Sequence, residues 1–310
     1  MNNQVIATIG LISDTHYQDR LFELPKGLAD LWTNIDLILH AGDVGELCVL
    51  DLLSELGPVI AVHGNDEPDC IKKELPYQQL VAINGLRLLL WHSHYPDPEE
   101  EKAKRKGTWG PKLERIAGRG REVNAKIVVY GHTHVPMIYR YSDMLLINPG
   151  ALSSGSYFTR QVAVSVGRLQ ILANGELDIA LFDVATGHVR DFKVANPDDD
   201  FSLLADQYQE WMVEPDLIPD VGALRRITYE DVRAVVRALV PIYRRYLPEG
   251  TIQRKDLIEV IRSSNMITPN DKRKVLATID QKLTSDLING NTKIVFGTDT
   301  SALAKPTLAE

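Results

Sequence analysis

The sequence predicts an α/β fold with a separate helical segment towards its C-terminal end. Five short apolar runs, of the length typical of strands buried on both faces, recur within the first 135 residues. Helical stretches separate the early runs, as they do in βαβ units. After residue 196 the strand pattern gives way to amphipathic stretches that begin with helix-capping signals.

The predicted elements follow one another along the first 190 residues. The five apolar runs end just before residues 14, 43, 65, 92 and 132. Crossover helices are expected over residues 24–31 and 46–56. Hairpin strands are expected over residues 136–141, 144–148, 161–172 and 177–182, and the turn Asn174-Gly175 joins the last two.

Two segments between these elements are harder to assign. Residues 97–106 are densely charged. They predict a solvated helix or loop near the mouth of a site formed at the strand ends. Residues 117–121 contain two glycines and two arginines. They favour a glycine-rich connection before the next strand, although the arginines could instead offer positive charge to a bound anion such as phosphate.

A side chain suited to metal binding follows each of the five apolar runs. Because α/β sheets gather their chemistry at the carboxyl ends of strands, we expect these side chains to lie close together. In chain order they are Asp14, His16, Asp43, Asn65, His92, His132 and His134.

The ligand types narrow the choice of metal. Imidazole, carboxylate and amide oxygen together suit first-row ions: Mn²⁺ above all, with Fe²⁺, Zn²⁺ and Ni²⁺ as alternatives. A set of oxygens alone would suit Mg²⁺ or Ca²⁺. The two cysteines, Cys48 and Cys70, are outside the set and give no disulfide framework.

These motifs resemble those of the calcineurin-like metallophosphoesterase superfamily, over about the first 190 residues. The short spacing between motifs is most similar to the small bacterial and archaeal phosphodiesterase branch, which is also similar to the metallophosphoesterase-fold subunit of retromer. The motifs that carry the resemblance are Asp14-Thr15-His16, Gly42-Asp43, Gly64-Asn65-Asp66, His92-Ser93-His94, Gly131-His132-Thr133-His134 and Ile147-Asn148-Pro149-Gly150-Ala151.

The resemblance implies a four-layer αββα sandwich with two metal ions bridged by Asp43. One ion would be held by Asp14, His16, Asp43 and His134, and the other by Asp43, Asn65, His92 and His132. Such a pair of ions can supply a bridging hydroxide that attacks phosphorus, so no side-chain nucleophile is needed.

Two further residues are candidates for a catalytic role. Asp66 stands where the superfamily often has a cationic histidine. A carboxylate there should penalise dianionic monoesters, so phosphodiesters are the favoured substrates. The alternative role for Asp66 is a cap or turn residue. His94 could protonate the leaving group, but a role in supporting the metal ligands is favoured.

Composition restricts the partners. The chain has 310 residues, a net charge of −8 and a pI near 5.5, which disfavours a nucleic-acid partner. Its N-terminal residues lack a basic segment and the apolar run after them is interrupted by Asp14, so neither a signal peptide nor a membrane span is expected. A cytoplasmic enzyme acting on a small phosphoester is the expectation.

The domain prediction has three parts: residues 1–195 as the metallophosphoesterase domain, 196–290 as a helical domain of unknown role, and 291–310 as a loosely ordered tail. Capping boxes at Thr228 and Thr268 begin two of the predicted helices. The helical domain could form a homo-oligomer, cover the active site or bind a partner.

Three function classes remain. The first is a metal-dependent phosphodiesterase, the second a non-catalytic scaffold of the retromer-subunit type, and the third a nuclease. All seven ligand positions carry competent residues, which argues against the scaffold. The acidic composition argues against the nuclease.

Overall fold

Two β-sheets form the centre of the molecule. The computed structural model describes residues 4–104, 107–192, 195–219, 233–247 and 249–279. The strands are β1 (Val5–Ile12), β2 (Leu37–His40), β3 (Val59–Ala61), β4 (Gln78–Ile83), β5 (Leu86–Trp91), β6 (Ile127–Tyr130), β7 (Met137–Tyr141), β8 (Met144–Asn148), β9 (Thr159–Gln161), β10 (Ser165–Leu172), β11 (Leu177–Asp183), β12 (His188–Val189) and β13 (Gln209–Trp211).

The first sheet has the strand order β12-β11-β10-β1-β2-β3, and the second has the order β4-β5-β6-β8-β7. Strands β1, β2 and β3 are mutually parallel, and so are β5, β6 and β8. Antiparallel strands complete both sheets: β10 pairs with β1 and β11, and in the second sheet β4 pairs with β5 and β7 with β8. The predicted hairpin strands are present, except that the strand predicted over residues 161–172 is divided into β9 and β10, which lie in different sheets.

The helices pack outside the sheets. They are α1 (Leu28–Leu31), α2 (Cys48–Ser54), α3 (Asp69–Glu74), α4 (Pro98–Lys104), α5 (Trp109–Glu122), α6 (Phe201–Ala205), α7 (Arg233–Tyr246), α8 (Arg254–Ser263) and α9 (Pro269–Ile279). Short 3₁₀ turns occupy Asp206–Tyr208 and Pro215–Leu217.

Alternating side chains in each central strand define the layers. In β5, Leu88 and Leu90 pack between the two sheets, while Leu89 and Trp91 face α5. The first sheet is also covered on both faces. Ile9 of β1 lies in the core between the sheets, and the outer face of this sheet packs on α1 and α2. Because both faces are covered, the strands read as continuous apolar runs. The predicted four-layer αββα sandwich is confirmed.

One local prediction was wrong, and another was correct only in part. Residues 117–121 are not a connection but lie within α5. Gly120 is there because a Cβ would come within 2.7 Å of Val128 on the sheet, so the glycine lets the helix approach closely. The charged segment after His94 does form a helix, α4, but it is not fully solvated, because Glu101 is only 7% exposed.

The segment after residue 195 begins within the first core. Leu204 and Tyr208 are buried in the cluster that also contains Trp109, and β13 pairs with β9. A second cluster, formed chiefly by α7, α8 and α9, packs against Phe158. The boundary at 195/196 stays a prediction, although these contacts show core residues on both sides of it.

The helical end of the chain is described in part. At the capping box predicted for Thr268, one of the two expected hydrogen bonds is found, since Asp271 N–H donates to Thr268 Oγ1 over 3.2 Å. The predicted cap at Thr228, residues 280–290 and the tail 291–310 lie outside the described residues. Within the described ranges, no helix combines the length and the apolar character needed to cross a bilayer.

Candidate metal centre

The carboxyl ends of five strands meet at one edge of the sandwich. Each of β1, β2, β3, β5 and β6 stops one to four residues before a predicted ligand. Backbone hydrogen bonds connect the loops that follow: Asp14 N–H donates to the Gly42 carbonyl and His16 N–H to the Asp43 carbonyl, both over 2.9 Å. The loops from separate strands are thereby fixed to one another.

Two glycines allow these loops to approach closely. A Cβ at Gly42 would lie 2.7 Å from the His92 ring, and Gly42 has a φ of +90°. A Cβ at Gly64 would collide with Asp43 Oδ1. Larger residues at either position would separate the ligand-bearing loops.

Five of the seven predicted ligands have left-handed backbone conformations. Non-glycine residues rarely adopt positive φ, and each instance costs on the order of 1 kcal/mol or more. Such strain persists where the surrounding structure enforces it, typically at functional sites. The φ angles are 53° for Asp14, 42° for His16, 51° for Asp43, 72° for His132 and 56° for His134.

The first group of ligand atoms comprises Asp14, His16 and His134, whose ligand atoms lie within 4.8 Å of one another. His134 Nε2 lies 3.2 Å from Asp14 Oδ1. On the other side of the ring, His134 Nδ1 donates to the Ser153 carbonyl over 3.0 Å. That hydrogen bond fixes the ring so that Nε2 faces the carboxylate.

The second group contains Asp14, Asp43 and His92, again within 4.8 Å. His92 Nε2 lies 3.2 Å from Asp43 Oδ2 and 3.3 Å from Asn65 Oδ1. His92 Nδ1 donates to the Ala41 carbonyl over 2.7 Å. Asp43 also lies 3.5 Å from His16 Nε2, so its carboxylate stands between the two groups.

His132 lies beside these groups and, among the described residues, is not part of either. Its ring centroid is 5.1 Å from that of His92. Its Nε2 is 2.7 Å from Glu101 Oε1 on α4, and Glu101 Oε2 accepts a hydrogen bond from Tyr95 N–H. Because the carboxylate accepts from Nε2, the nitrogen with a lone pair is Nδ1.

The cluster is strongly coupled electrostatically. Burial lowers the pKa of His92, but the Asp43 carboxylate outweighs it, and the pKa is raised to about 10. Burial raises the pKa of Asp14, but the charge and hydrogen bond of His134 and the charge of His92 together outweigh it and lower the pKa to about 2. Burial and then the Arg20 charge lower the pKa of His16 to about 4.

The donor set fits divalent metal ions. His16 Nε2 is buried, faces the Asp43 carboxylate and has no hydrogen-bond partner among the described residues. A buried polar atom without a hydrogen-bond partner is unusual in a folded protein, and a bound metal ion would account for it here. Arg20 donates to His16 Nδ1 over 2.7 Å, so Nδ1 carries the lone pair and the proton of neutral His16 lies on Nε2. An ion that binds Nε2 would displace that proton.

Arg20 changes the role expected for Asp66. Arg20 is 4% exposed, and its Nη2 donates to Asp66 Oδ2 over 2.5 Å. The Asp66 side chain is 42% exposed and lines the cavity beside the site. The sequence argument treated Asp66 as an uncompensated negative charge. The buried guanidinium offsets that charge, so the penalty on dianionic substrates is smaller than predicted.

His94 is close to the centre but is not a cationic acid. Its ring centroid lies 5.4 Å from that of His92. Burial, and then the neighbouring His92 and His132, lower the pKa of His94 to about 2, so the ring is neutral at pH 7. Its ring also lies near those of Tyr77 and His132, and its buried Nδ1 has no hydrogen-bond partner among the described residues. The role of His94 therefore stays a prediction.

The sequence analysis missed Glu67. Its side chain accepts hydrogen bonds from Val44 N–H and from Gly64 N–H, the latter over 2.8 Å. Glu67 thus joins the loop of Asp43 to the loop of Asn65. Burial and then Asp43 raise its pKa to about 8. Glu67 directly follows the predicted ligand Asn65 and its neighbour Asp66, and this position in the sequence could have indicated a role at the site.

Comparison with known protein families supplies the assignment. The family model of the calcineurin-like phosphoesterase superfamily domain matches residues 8–170, more than half of the chain. The chain belongs to the calcineurin-like phosphoesterase superfamily. Proteins of this superfamily act on phosphoesters and use a dimetal centre. The match ends before α6, so the C-terminal segment is not part of it.

Curated members of the superfamily resemble the same half of the chain. A probable metallophosphoesterase of Methanocaldococcus jannaschii is 37% identical over 143 residues, which cover 46% of this chain and 67% of the relative. A probable metallophosphoesterase of Methanothermobacter thermautotrophicus is 35% identical over 144 residues, covering 46% and 76%. A phosphodiesterase of Methanocaldococcus jannaschii is 27% identical over 156 residues, covering 46% and 82%.

Among solved structures, vacuolar protein sorting 29 of Cryptosporidium parvum is similar with a TM-score of 0.47 and 22% identity, covering 60% of this chain and 96% of that one.

Proposed function

We propose that the protein is a phosphodiesterase that depends on two divalent transition-metal ions, with Mn²⁺ the preferred ion. The observation that carries the proposal is the meeting of two buried carboxylates with four histidines at one strand edge. In the proposed assignment, one ion is held by Asp14, His16, Asp43 and His134, and the other by Asp43, Asn65, His92 and His132.

When bound, such ions would supply Lewis-acid charge and an activated water for attack on phosphorus. The chain's own groups orient the ligands. Backbone carbonyls hold His92 and His134, and Glu101 holds His132. The side-chain amide of Asn148 donates to the Gly131 carbonyl and to Thr133 Oγ1, over 3.1 and 2.9 Å, and so holds the loop of His132 and His134.

The preference for diesters has two supports. Asp66 places a carboxylate, not a cation, at the edge of the site, although Arg20 offsets part of its charge. A relative that is 27% identical is a phosphodiesterase. The direct test is to load the full chain with Mn²⁺ and to compare bis-p-nitrophenyl phosphate with p-nitrophenyl phosphate. We expect a higher kcat/KM for the diester and loss of turnover on chelation; a faster monoester would reject the preference.

Replacing Asp66 by histidine should shift selectivity towards monoesters. The substitution removes a negative charge and leaves Asp19, 3.3 Å from Arg20 Nε, as the remaining carboxylate partner of Arg20. The ratio of kcat/KM for the monoester to that for the diester should rise by about tenfold. Asp69→His, at an exposed position three residues further along, is the matched control. An unchanged ratio in Asp66→His would leave Asp66 as a turn residue.

Replacing Glu101 by glutamine should weaken binding of the ion assigned to His132. The amide keeps the shape of the side chain but loses the charge that orients the imidazole, and such supporting contacts are typically worth about 10- to 100-fold in metal affinity. Calorimetric titration of the metal-free protein with Mn²⁺ measures this. Glu100→Gln, the exposed neighbour on α4, should bind like the native protein. Equal affinities in all three proteins would contradict the role of Glu101.

The setting and assembly of the enzyme are further parts of the proposal. We place it in the cytoplasm with a small phosphoester as substrate, and we assign the C-terminal helices a role in homo-oligomer formation. Light scattering of the purified chain tests that role, and a monomer at micromolar concentration would reject it.

A further inference from the structure

A cavity of about 340 Å³ leads away from the proposed metal centre. Its inner end is lined by Asp43, Asn65, His132 and His134. A volume of this size accommodates a small molecule that extends well beyond one phosphate group. The residues of the outer wall should therefore contact the rest of the substrate.

The outer wall is built by two helices and by the segment after residue 195. Lys104 comes from α4, Lys112 from α5, and Phe201 and Gln209 from the segment after residue 195. Phe201 and Gln209 lie outside residues 8–170, the part that matches the superfamily. The wall therefore combines lysines from within the matched part with two residues from outside it.

This wall is cationic on an acidic protein. Lys104, Lys112 and Arg115 line it together with Glu101, while Asp43 and Asp66 are the carboxylates of the inner part of the cavity and the chain as a whole carries a net charge of −8. The nearer acid Asp66 is compensated by Arg20. A local excess of cations facing a cavity raises the concentration of anions there.

Backbone carbonyls and aromatic rings hold Arg115 and Lys112 in place. The Arg115 guanidinium donates to the carbonyls of Ser93 and His94, over 2.6 and 2.9 Å, and lies 3.7 Å from the centre of the Tyr95 ring. Lys112 Nζ lies 4.4 Å from the centre of the Phe201 ring and donates to the Lys104 carbonyl. An ammonium has three N–H donors, and that carbonyl accepts one hydrogen bond from it.

We propose that this cavity binds a phosphodiester carrying a second phosphate group, and that Lys112 is the main contact of that second phosphate. The inference rests on the proposed function, because the scissile diester is placed at the metal centre. It goes further in naming the substrate class. Burial lowers the pKa of Lys112, and an anion beside the ammonium would oppose that effect.

The test separates the second phosphate from the first. Thymidine 5′-phosphate and thymidine 3′,5′-bisphosphate differ only in one phosphate group, and their affinities for the Mn²⁺-loaded full chain are measured by titration calorimetry. We expect the bisphosphate to bind about tenfold more tightly, with an advantage that shrinks as salt is added. Equal affinities would overturn the inference.

Substitutions of Lys112 test whether this residue causes the tighter binding of the bisphosphate. Lys112→Met should reduce the advantage of the bisphosphate to less than about threefold, and Lys112→Arg, which keeps the charge, should retain most of it. Lys126→Met, an exposed lysine outside the cavity lining, should behave like the native protein. An advantage that survives in Lys112→Met would overturn the assignment, and circular dichroism checks that each variant is folded.

Turnover is a separate readout. The 5′-p-nitrophenyl esters of the same two compounds release nitrophenol if the protein is a phosphodiesterase. If neither ester is cleaved, the proposed function fails, while the binding comparison still decides the second-phosphate site. If both are cleaved at equal kcat/KM and bind equally, the proposed function stands and the inference fails.

Discussion

Asp43→Ala is expected to remove bound metal and to lower turnover by at least about three orders of magnitude. The Asp43 carboxylate lies 3.2 Å from His92 Nε2 and 3.5 Å from His16 Nε2, between the two ligand groups. It is the one side chain assigned to both proposed ions. Without it, neither ion retains its full ligand set, and the charge that would stabilise the transition state is lost.

Elemental analysis and kcat/KM for bis-p-nitrophenyl phosphate measure the two effects. Metal content should fall from near two ions per chain to below one. Asp51→Ala, on the exposed face of α2, should change neither quantity. Native metal content in a folded Asp43→Ala protein would refute the assignment of Asp43.

Cutting the chain at residue 196 is expected to destabilise the first core strongly. A fragment of residues 1–196 lacks Phe201, Leu204 and Tyr208, which pack in the cluster of Trp109. A fragment of residues 1–211 keeps them, and also keeps the pairing of β13 with β9. Burial of Leu204 and Tyr208 contributes about 5 kcal/mol together, so the shorter fragment should melt at least about 10 °C lower.

Thermal denaturation and binding of a hydrophobic dye compare the two fragments. The 1–196 fragment should bind more dye because Trp109 is uncovered, while the 1–211 fragment should expose mainly the surface around Phe158. Equal melting temperatures would favour the predicted boundary at 195/196 over a boundary near residue 211.

The sandwich and the meeting of its strand ends could be predicted from the sequence because both follow from local patterns. Leu88 to Trp91 is a continuous apolar run because alternate side chains enter different cores. Parallel strands place their carboxyl ends at one edge, so the order of polar residues after them predicts a shared site.

The partners of the ligands could not be predicted in this way, because they are distant in the sequence. Arg20 meets Asp66, and Glu101 meets His132, only after folding. The sequence argument therefore overestimated the negative charge that Asp66 presents to a substrate, because its partner is a buried arginine. The helical state of residues 117–121 was missed because the glycines there serve packing on the sheet rather than a turn.

The left-handed backbone at Asp14, His16, Asp43, His132 and His134 has a consequence for the fate of the protein in a cell. Each strained residue favours the unfolded chain, and together they amount to on the order of 5 kcal/mol. Ions that bind only the folded chain counter this by mass action, in proportion to the logarithm of their free concentration. Metal supply would then set the survival of the protein against proteases as well as its activity, so that scarcity reduces the number of molecules and not only their turnover.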